Sequence, residues 1–184
     1  MLKNLVFKIL FNVIFNRLER VVLMEELIKK VEEWSKERNL DTADPNKQRL
    51  KLWEEFGELN AAIARDNHDL IQDSIGDMLV VMIIYCQQLN YPIQSNRLIE
   101  VDIEVYDFFK DAEISKLIEG VAFEIVGLRT SIQKIYEIVG FLNIVAERYD
   151  LFIEDCLQVA YDEIKDRRGK MINGVFVKES DLKN

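Results

Sequence analysis

Proline and glycine are scarce in this 184-residue chain, which has two of the first and seven of the second. Both disfavour helix interiors, proline by removing a donor and clashing with the preceding turn, glycine by its backbone entropy. Their scarcity predicts long, uninterrupted helices. Cysteine is equally sparse. Cys86 and Cys156 sit in apolar, helical contexts without metal-type spacing. That excludes a disulfide framework and a cysteine zinc site, and fits reduced core residues of a cytoplasmic protein. Histidine occurs once, at His68, which excludes a histidine-rich zinc site and a triad with paired histidines. The loop position of His68 predicts a solvent-exposed or capping role. Positive charge is in deficit, and a net charge of −9 argues against nonspecific nucleic-acid binding, which needs a basic footprint. A nucleotide substrate stays open, because a bound divalent ion reverses the local sign. Long apolar runs are missing as well. The stretch from Leu2 to Leu18 is interrupted by Lys8 and too short for a membrane span, and no small-residue cleavage site of the secretory type accompanies it.

What is present is helical patterning. The length fits one domain, and 49% apolar residues supply a core. Leu27, Ile28, Val31 and Trp34 recur at helical spacing and predict a first helix from Met24 to Arg38. Asp44-Pro45 reads as an N-cap followed by proline at the first helical position, opening a helix to Ala64. The next helix spans Asp69 to Leu89, ended by Asn90-Tyr91-Pro92. Residues 93–104 form a connection in which Val101, Ile103 and Val105 alternate; with no partner in sight they read as loop or helix start rather than strand. Further helices are predicted over Tyr106–Leu128, with a break allowed near Asp111, over Ser131–Tyr149, and over Ile153–Arg168, stopped by Gly169. Asn173-Gly174 between apolar residues signals a small hairpin. The expected fold is all-α, an antiparallel helical bundle with a short C-terminal β-hairpin.

Two acidic groups stand out within the helices, Glu54-Glu55-Phe56-Gly57-Glu58 and Asp73-Ser74-Ile75-Gly76-Asp77. Residues three or four apart share a helix face, so Glu55 and Glu58, Glu54 and Glu58, and Asp73 and Asp77 are same-face pairs. The short connection 65–68 makes the two helices antiparallel. The first group lies roughly ten residues before Asn67 and the second roughly eight after it, so at about 1.5 Å per residue they stand at nearly one height. Carboxylates converging on a helix seam repel one another and resist desolvation, and a cation would hold them together. All-oxygen ligation suits Mg2+, with Mn2+ as a substitute. Solvated acids on amphipathic helices would give the same pairs. Against that, apolar stripes (Phe56, Leu59, Ile63; Ile75, Met78, Leu79, Met82) flank the acids, and the helix after Asp77 is apolar on nearly every face, which marks a central, buried element.

Residues 1–23 differ from the rest and read as an N-terminal extension, with 24–184 as the single domain. Positions 5, 6, 9, 10, 13 and 14 form an apolar stripe beside Lys3, Lys8 and Arg17, so a membrane-apposed basic anchor is one reading. The preferred one takes Met24 as the functional start, because Met24-Glu25-Glu26-Leu27-Ile28 already opens a clean amphipathic helix. No stable membrane association is expected. Residues 115–150 also echo 51–91, each a helix pair with a mid-helix glycine (Gly76, Gly140). The second copy lacks the acidic pairs, and Phe141 follows Gly140 where Asp77 follows Gly76. A duplication with one inactive half, or two unrelated hairpins, gives this pattern.

The acidic pattern E-E-x-G-E, a short helix hairpin, then G-D opening an apolar helix resembles the MazG-like all-α nucleoside triphosphate pyrophosphohydrolases. Their pattern is E-E-x-x-E, a spacer, then E-x-x-D. Glu54, Glu55 and Glu58 match its first part and Asp77 the final aspartate. The stretches 160–170 and 173–179 resemble the tail of a subgroup in which a basic helix end and glycine turn lie near the phosphates. The resemblance runs from Met24 to about Leu182 and is vague over 91–150. It departs at Ser74, which stands where the family has the glutamate of E-x-x-D. Asp73 lies one residue earlier, rotated by about 100°, yet shares a face with Asp77. Asp162 stands where an asparagine is expected.

The resemblance implies hydrolysis of a (deoxy)nucleoside triphosphate to the monophosphate and pyrophosphate. It implies catalysis by Glu54, Glu55, Glu58 and Asp77, with metal held by Glu55, Glu58, Asp77 and Asp73, and Glu54 as base or outer ligand. Lys51, Lys165, Arg168 and Lys170 are the candidate phosphate-binding cations; helix C-terminal charge complementing the macrodipole explains the last three equally well. A homo-oligomer is expected. Two other readings stand beside the enzyme: an inactive relative that binds nucleotide, and a helical interaction module with solvated acidic faces. Trp34 is expected in the core; it, Trp53 and Tyr161 are candidates for a base pocket.

Overall fold

The structure, a computed structural model, describes residues 2–172 and 175–179; for residues 2–14, 171, 175 and 178 the description is of the backbone alone. The chain is mostly helical: α1 (Leu2–Glu37), α2 (Pro45–Ala64), α3 (His68–Gln88), α4 (Ser95–Ile99), α5 (Ile103–Phe109), α6 (Ile114–Gly127), α7 (Lys134–Glu147) and α8 (Ile153–Ile164). Two strands follow, β1 (Gly169–Ile172) and β2 (Val175–Lys178), antiparallel with Gly169 opposite Lys178 and Ile172 opposite Val175. The Asn173-Gly174 turn expected between them lies outside the described residues.

Local chemistry sets the helix ends. Asp44 caps α2 by accepting the Asn46 N–H at 2.9 Å, with Pro45 at the first helical position. Asn67 caps α3 through the Leu70 N–H at 3.2 Å. Asn39, Asp66, Asn90 and Asp150 take the left-handed conformation just beyond α1, α2, α3 and α7, a role Asn and Asp tolerate better than most side chains. The α2–α3 turn is therefore residues 65–67, one shorter than expected. His68 is exposed as expected, but it is neither loop nor cap. It is the first residue of α3, and its Nε2 donates to the Tyr149 carbonyl at 2.6 Å, the only role a carbonyl acceptor allows it.

α3 is the central helix. From Ile71 to Cys86 most of its side chains are buried, and it packs chiefly on α2 and α8, then on α1 and α7. A side chain at Gly76 would bring its Cβ to 2.1 Å from the Cys156 carbonyl oxygen and 2.8 Å from the Ala160 Cβ. The glycine is what lets α3 and α8 approach so closely.

Of four expectations, the first two hold and the last two are corrected. The helix expected over Tyr106–Leu128 is two helices, α5 and α6, parted at 110–113, the break allowed near Asp111. The alternating segment 101–105 opens α5, with Asp102 accepting the Glu104 and Val105 N–H groups. The last helix ends at Ile164, a full turn before Arg168. α1 does not begin at Met24. It runs from Leu2 without a break across 23–24, Val21 and Leu23 pack on the core, and Arg17 and Arg20 pair with Glu100 and the buried Glu154. Among the described residues no helix is long and apolar enough to cross a membrane.

The internal echo corresponds to two helix hairpins, α2–α3 and α6–α7. In the second, the Phe141 ring lies against Gly120, where an added Cβ would come within 2.6 Å of it. Lys134 there bridges Glu124 at 2.9 Å and Glu137 at 2.5 Å beside a cavity of about 470 Å3.

Candidate functional site

The α2–α3 hairpin brings the two acidic groups into one cleft of about 600 Å3. Glu54, Glu55 and Glu58 reach it from α2, and Asp73 and Asp77 from α3. Matched heights on antiparallel helices explain the meeting. Glu163 and Ile164 of α8, Arg167 just beyond it and Phe176 of β2 close the cleft, and α1 contributes Trp34.

Glu55 is the most buried of the acids at 3% exposure. Its Oε1 lies 2.5 Å from the Lys51 ammonium, one helical turn back, and its Oε2 has no hydrogen-bond partner. Burial raises its pKa, Lys51 opposes the rise, and the charges of Glu58 and Glu54 add to it. Burial also works against the charged form of Lys51, but its hydrogen bonds and attraction to Glu55 and Glu54 prevail and its pKa is raised. Asp77 is pushed up to about 7, first by burial and then by the negative charges of Glu55 and Asp73, against the pull of Arg167 and Lys51. Asp73 is raised by burial and by Glu163 and Glu58, and its Oδ1 is buried without a partner. Glu54 and Glu58 are exposed at the mouth.

The departure at position 74 has a geometric answer. Ser74 is buried at 4% exposure and does not line the cleft, whereas Asp73 does. The expected cations divide. Lys51 lines the cleft. Lys165 instead pairs with Asp162 at 2.7 Å outside it, and Arg168 and Lys170 are exposed and do not line it. Because α8 ends at Ile164, a helical extrapolation to Arg168 misdirects the side chains. Arg167 and Lys47 are the cations that sequence reasoning missed. A signal was available for Lys47, which precedes Lys51 by four on the same helix; none was available for Arg167, which lies beyond the end of α8.

Trp34 is both core and cleft wall. Its indole N–H donates to the Ile164 carbonyl at 2.7 Å, its ring stands edge-on to Phe176 at 5.9 Å, and the Arg38 guanidinium lies 4.6 Å over it. Trp53 and Tyr161 do not line the cleft.

The donor set suits a hard divalent cation in kind: carboxylate oxygens, two of them buried and unpartnered, without histidine or cysteine. As the side chains stand, no three Asp, Glu, His or Cys among the described residues are arranged to hold an ion. The nearest cation to Glu55 is the chain's own Lys51.

No family model matches this chain, and no solved structure matches it. It is similar to an uncharacterized 18.2 kDa protein from the rep-hol intergenic region of Haemophilus phage HP1 (strain HP1c1), with 48% identity over 66 residues. That stretch is 35% of this chain and 40% of the phage protein, so the match spans less than half the length of either.

Proposed function

We propose that this chain hydrolyses a (deoxy)nucleoside triphosphate to the monophosphate and pyrophosphate with Mg2+ held by Glu55, Glu58, Asp73 and Asp77. The observation that carries this reading is the meeting, in one cleft, of acids from two helices with two buried, unpartnered carboxylate oxygens. Carboxylates so buried and so close to one another that Asp77 rises to about 7 are costly in isolation and useful around a cation. Bound there, Mg2+ would neutralise phosphate charge and make a water acidic enough to attack. The chain's own groups account for the rest. Lys47, Lys51 and Arg167 are the cations lining the cleft and suit the polyphosphate. Trp34 and Phe176 offer an apolar wall suited to a base. Glu54, at the mouth and outside the proposed ligand set, is suited to take the proton of the attacking water.

A second reading, nucleotide binding without turnover, draws on the hold of Lys51 on Glu55 and on the lack of a ready ligand arrangement among the described residues. A homo-oligomer belongs to the same proposal; its support is the outer face of α6, where Phe123 and Val126 are exposed. A cytoplasmic location is proposed from the two buried free cysteines.

Pyrophosphate release is to be measured over a panel of ribo- and deoxynucleoside triphosphates, with Mg2+ and after chelation. Release from at least one nucleotide with Mg2+ alone, lost roughly 100-fold or more in Glu55→Gln and Glu58→Gln, is the expected result. Binding without release selects the second reading, and neither binding nor release rejects both.

A further inference from the structure

We propose that Lys51 is an exchangeable counter-ion: its ammonium competes with a divalent cation for Glu55, so that cation binding displaces it toward the polyphosphate. The inference rests on the metal-dependent reading above and concerns how that site fills. The two partners of this pair are unequally anchored. Glu55 is buried, with its side chain 5% exposed, while the side chain of Lys51 is 44% exposed. The carboxylate has nowhere else to go, but the ammonium sits on a flexible four-carbon stem that can carry it to solvent or to another anion.

The contact is close, 2.5 Å to Glu55 Oε1, with a second at 3.2 Å to Glu54 Oε1. A divalent ion on the same carboxylate would face the ammonium at short range, and like charges at that distance repel strongly in a partly buried site. The doubly charged ion holds the carboxylate more strongly, so the ammonium is the group that leaves. Glu55 Oε2, buried and without a hydrogen-bond partner, gives an incoming ion a foothold before Lys51 departs. Once displaced, Lys51 still projects into the cleft that Arg167 lines. One side chain thus neutralises the acidic cluster and then adds positive charge where phosphates would lie. Metal binding and polyphosphate binding are coupled through it.

Mn2+ is titrated calorimetrically into the wild-type chain, K51M, K51Q and R167M, with folding checked by far-UV circular dichroism. The expected result is that K51M and K51Q bind Mn2+ roughly tenfold tighter than wild type, since the ion no longer displaces a hydrogen-bonded ammonium. R167M, which removes a cleft cation not paired with Glu55, gains clearly less. With Mn2+ saturating, inorganic tripolyphosphate binds K51M several-fold more weakly than wild type. Equal or weaker Mn2+ binding by both Lys51 variants overturns the proposal, as does a gain in R167M matching theirs, which would make the effect one of bulk charge. If wild type takes up Mn2+ and only these differences fail, the metal site survives and the exchange does not. If no chain takes up Mn2+, both fall.

Discussion

Asp77 lies midway along α3, a helix buried on nearly every side, and its carboxyl group is pushed up to about 7 by that burial and by Glu55 and Asp73. The consequence for stability has a definite sign. The folded chain holds this proton more tightly than the unfolded chain, whose aspartate titrates near 3.8. The stabilisation is complete below that value and is lost as pH rises through about 7. Without divalent ions, the wild-type melting temperature is expected to fall between pH 5 and 8. Asp77→Asn should flatten that dependence and raise metal-free stability at pH 8 by about 1–3 kcal/mol, while turnover drops roughly 100-fold or more. Thermal melts across pH test the first, and the pyrophosphate assay tests the second.

One helical turn away, the same helix separates two adjacent side chains that the sequence leaves as rivals. Asp73 reaches the cleft and Ser74 does not, because about 100° of rotation lies between them. Asp73→Asn is expected to raise the Mg2+ concentration needed for half-maximal activity by roughly tenfold. Ser74→Ala should leave that concentration within about twofold of wild type, since its hydroxyl supplies no charge to the cation. A larger Mg2+ effect from Ser74→Ala than from Asp73→Asn contradicts the assignment.

Among the elements, α3 and α8 depend on a single missing Cβ. Gly76→Ala would drive a methyl into the Cys156 carbonyl at 2.1 Å, and backbone gives way less readily than the tip of a side chain. The helices must separate and carry Arg167 and Glu163 away from the cleft. A loss of about 3 kcal/mol or more in urea unfolding is expected, whereas Gly57→Ala, with nothing within 4 Å of the added Cβ, should cost nothing. α1 makes the second case. Arg20 donates to Glu154 through Nη2 at 3.1 Å and stacks over Phe152 at 4.6 Å, and Glu154 is 3% exposed. Arg20→Ala should therefore destabilise the fold by about 1–3 kcal/mol, largely restored when Glu154→Gln removes the stranded charge. A chain beginning at Met24 carries the same loss, contrary to the expectation from its clean amphipathic start. A Met24 chain that melts with the full-length protein would show the contact to be idle.

On the scale of the whole molecule, the all-α architecture, the central helix and the antiparallel α2–α3 hairpin with its facing acids were legible in the sequence. Each follows from information carried within about two turns of chain: a 3.6-residue apolar period, Asp44-Pro45 as a helix opening, the short connection 65–68, and acids four apart. Buried status for Glu55 and the choice of Asp73 over Ser74 needed α8 and the cleft walls, because burial is a property of what packs opposite and not of the residue itself. The cations show the same division. Lys51 was legible because it shares a helix with Glu55, while Arg167 was not, because where α8 stops decides which of two adjacent arginines faces the acids. Composition and periodicity by themselves determined a helical chain, poor in thiol and imidazole chemistry, with carboxylates levelled across one seam. Only the tertiary structure decided that Arg20 reaches Glu154, more than a hundred residues away, and that Trp34 walls the cleft. Such contacts join segments whose separation along the chain leaves no periodic trace, so only the packed helices bring them together.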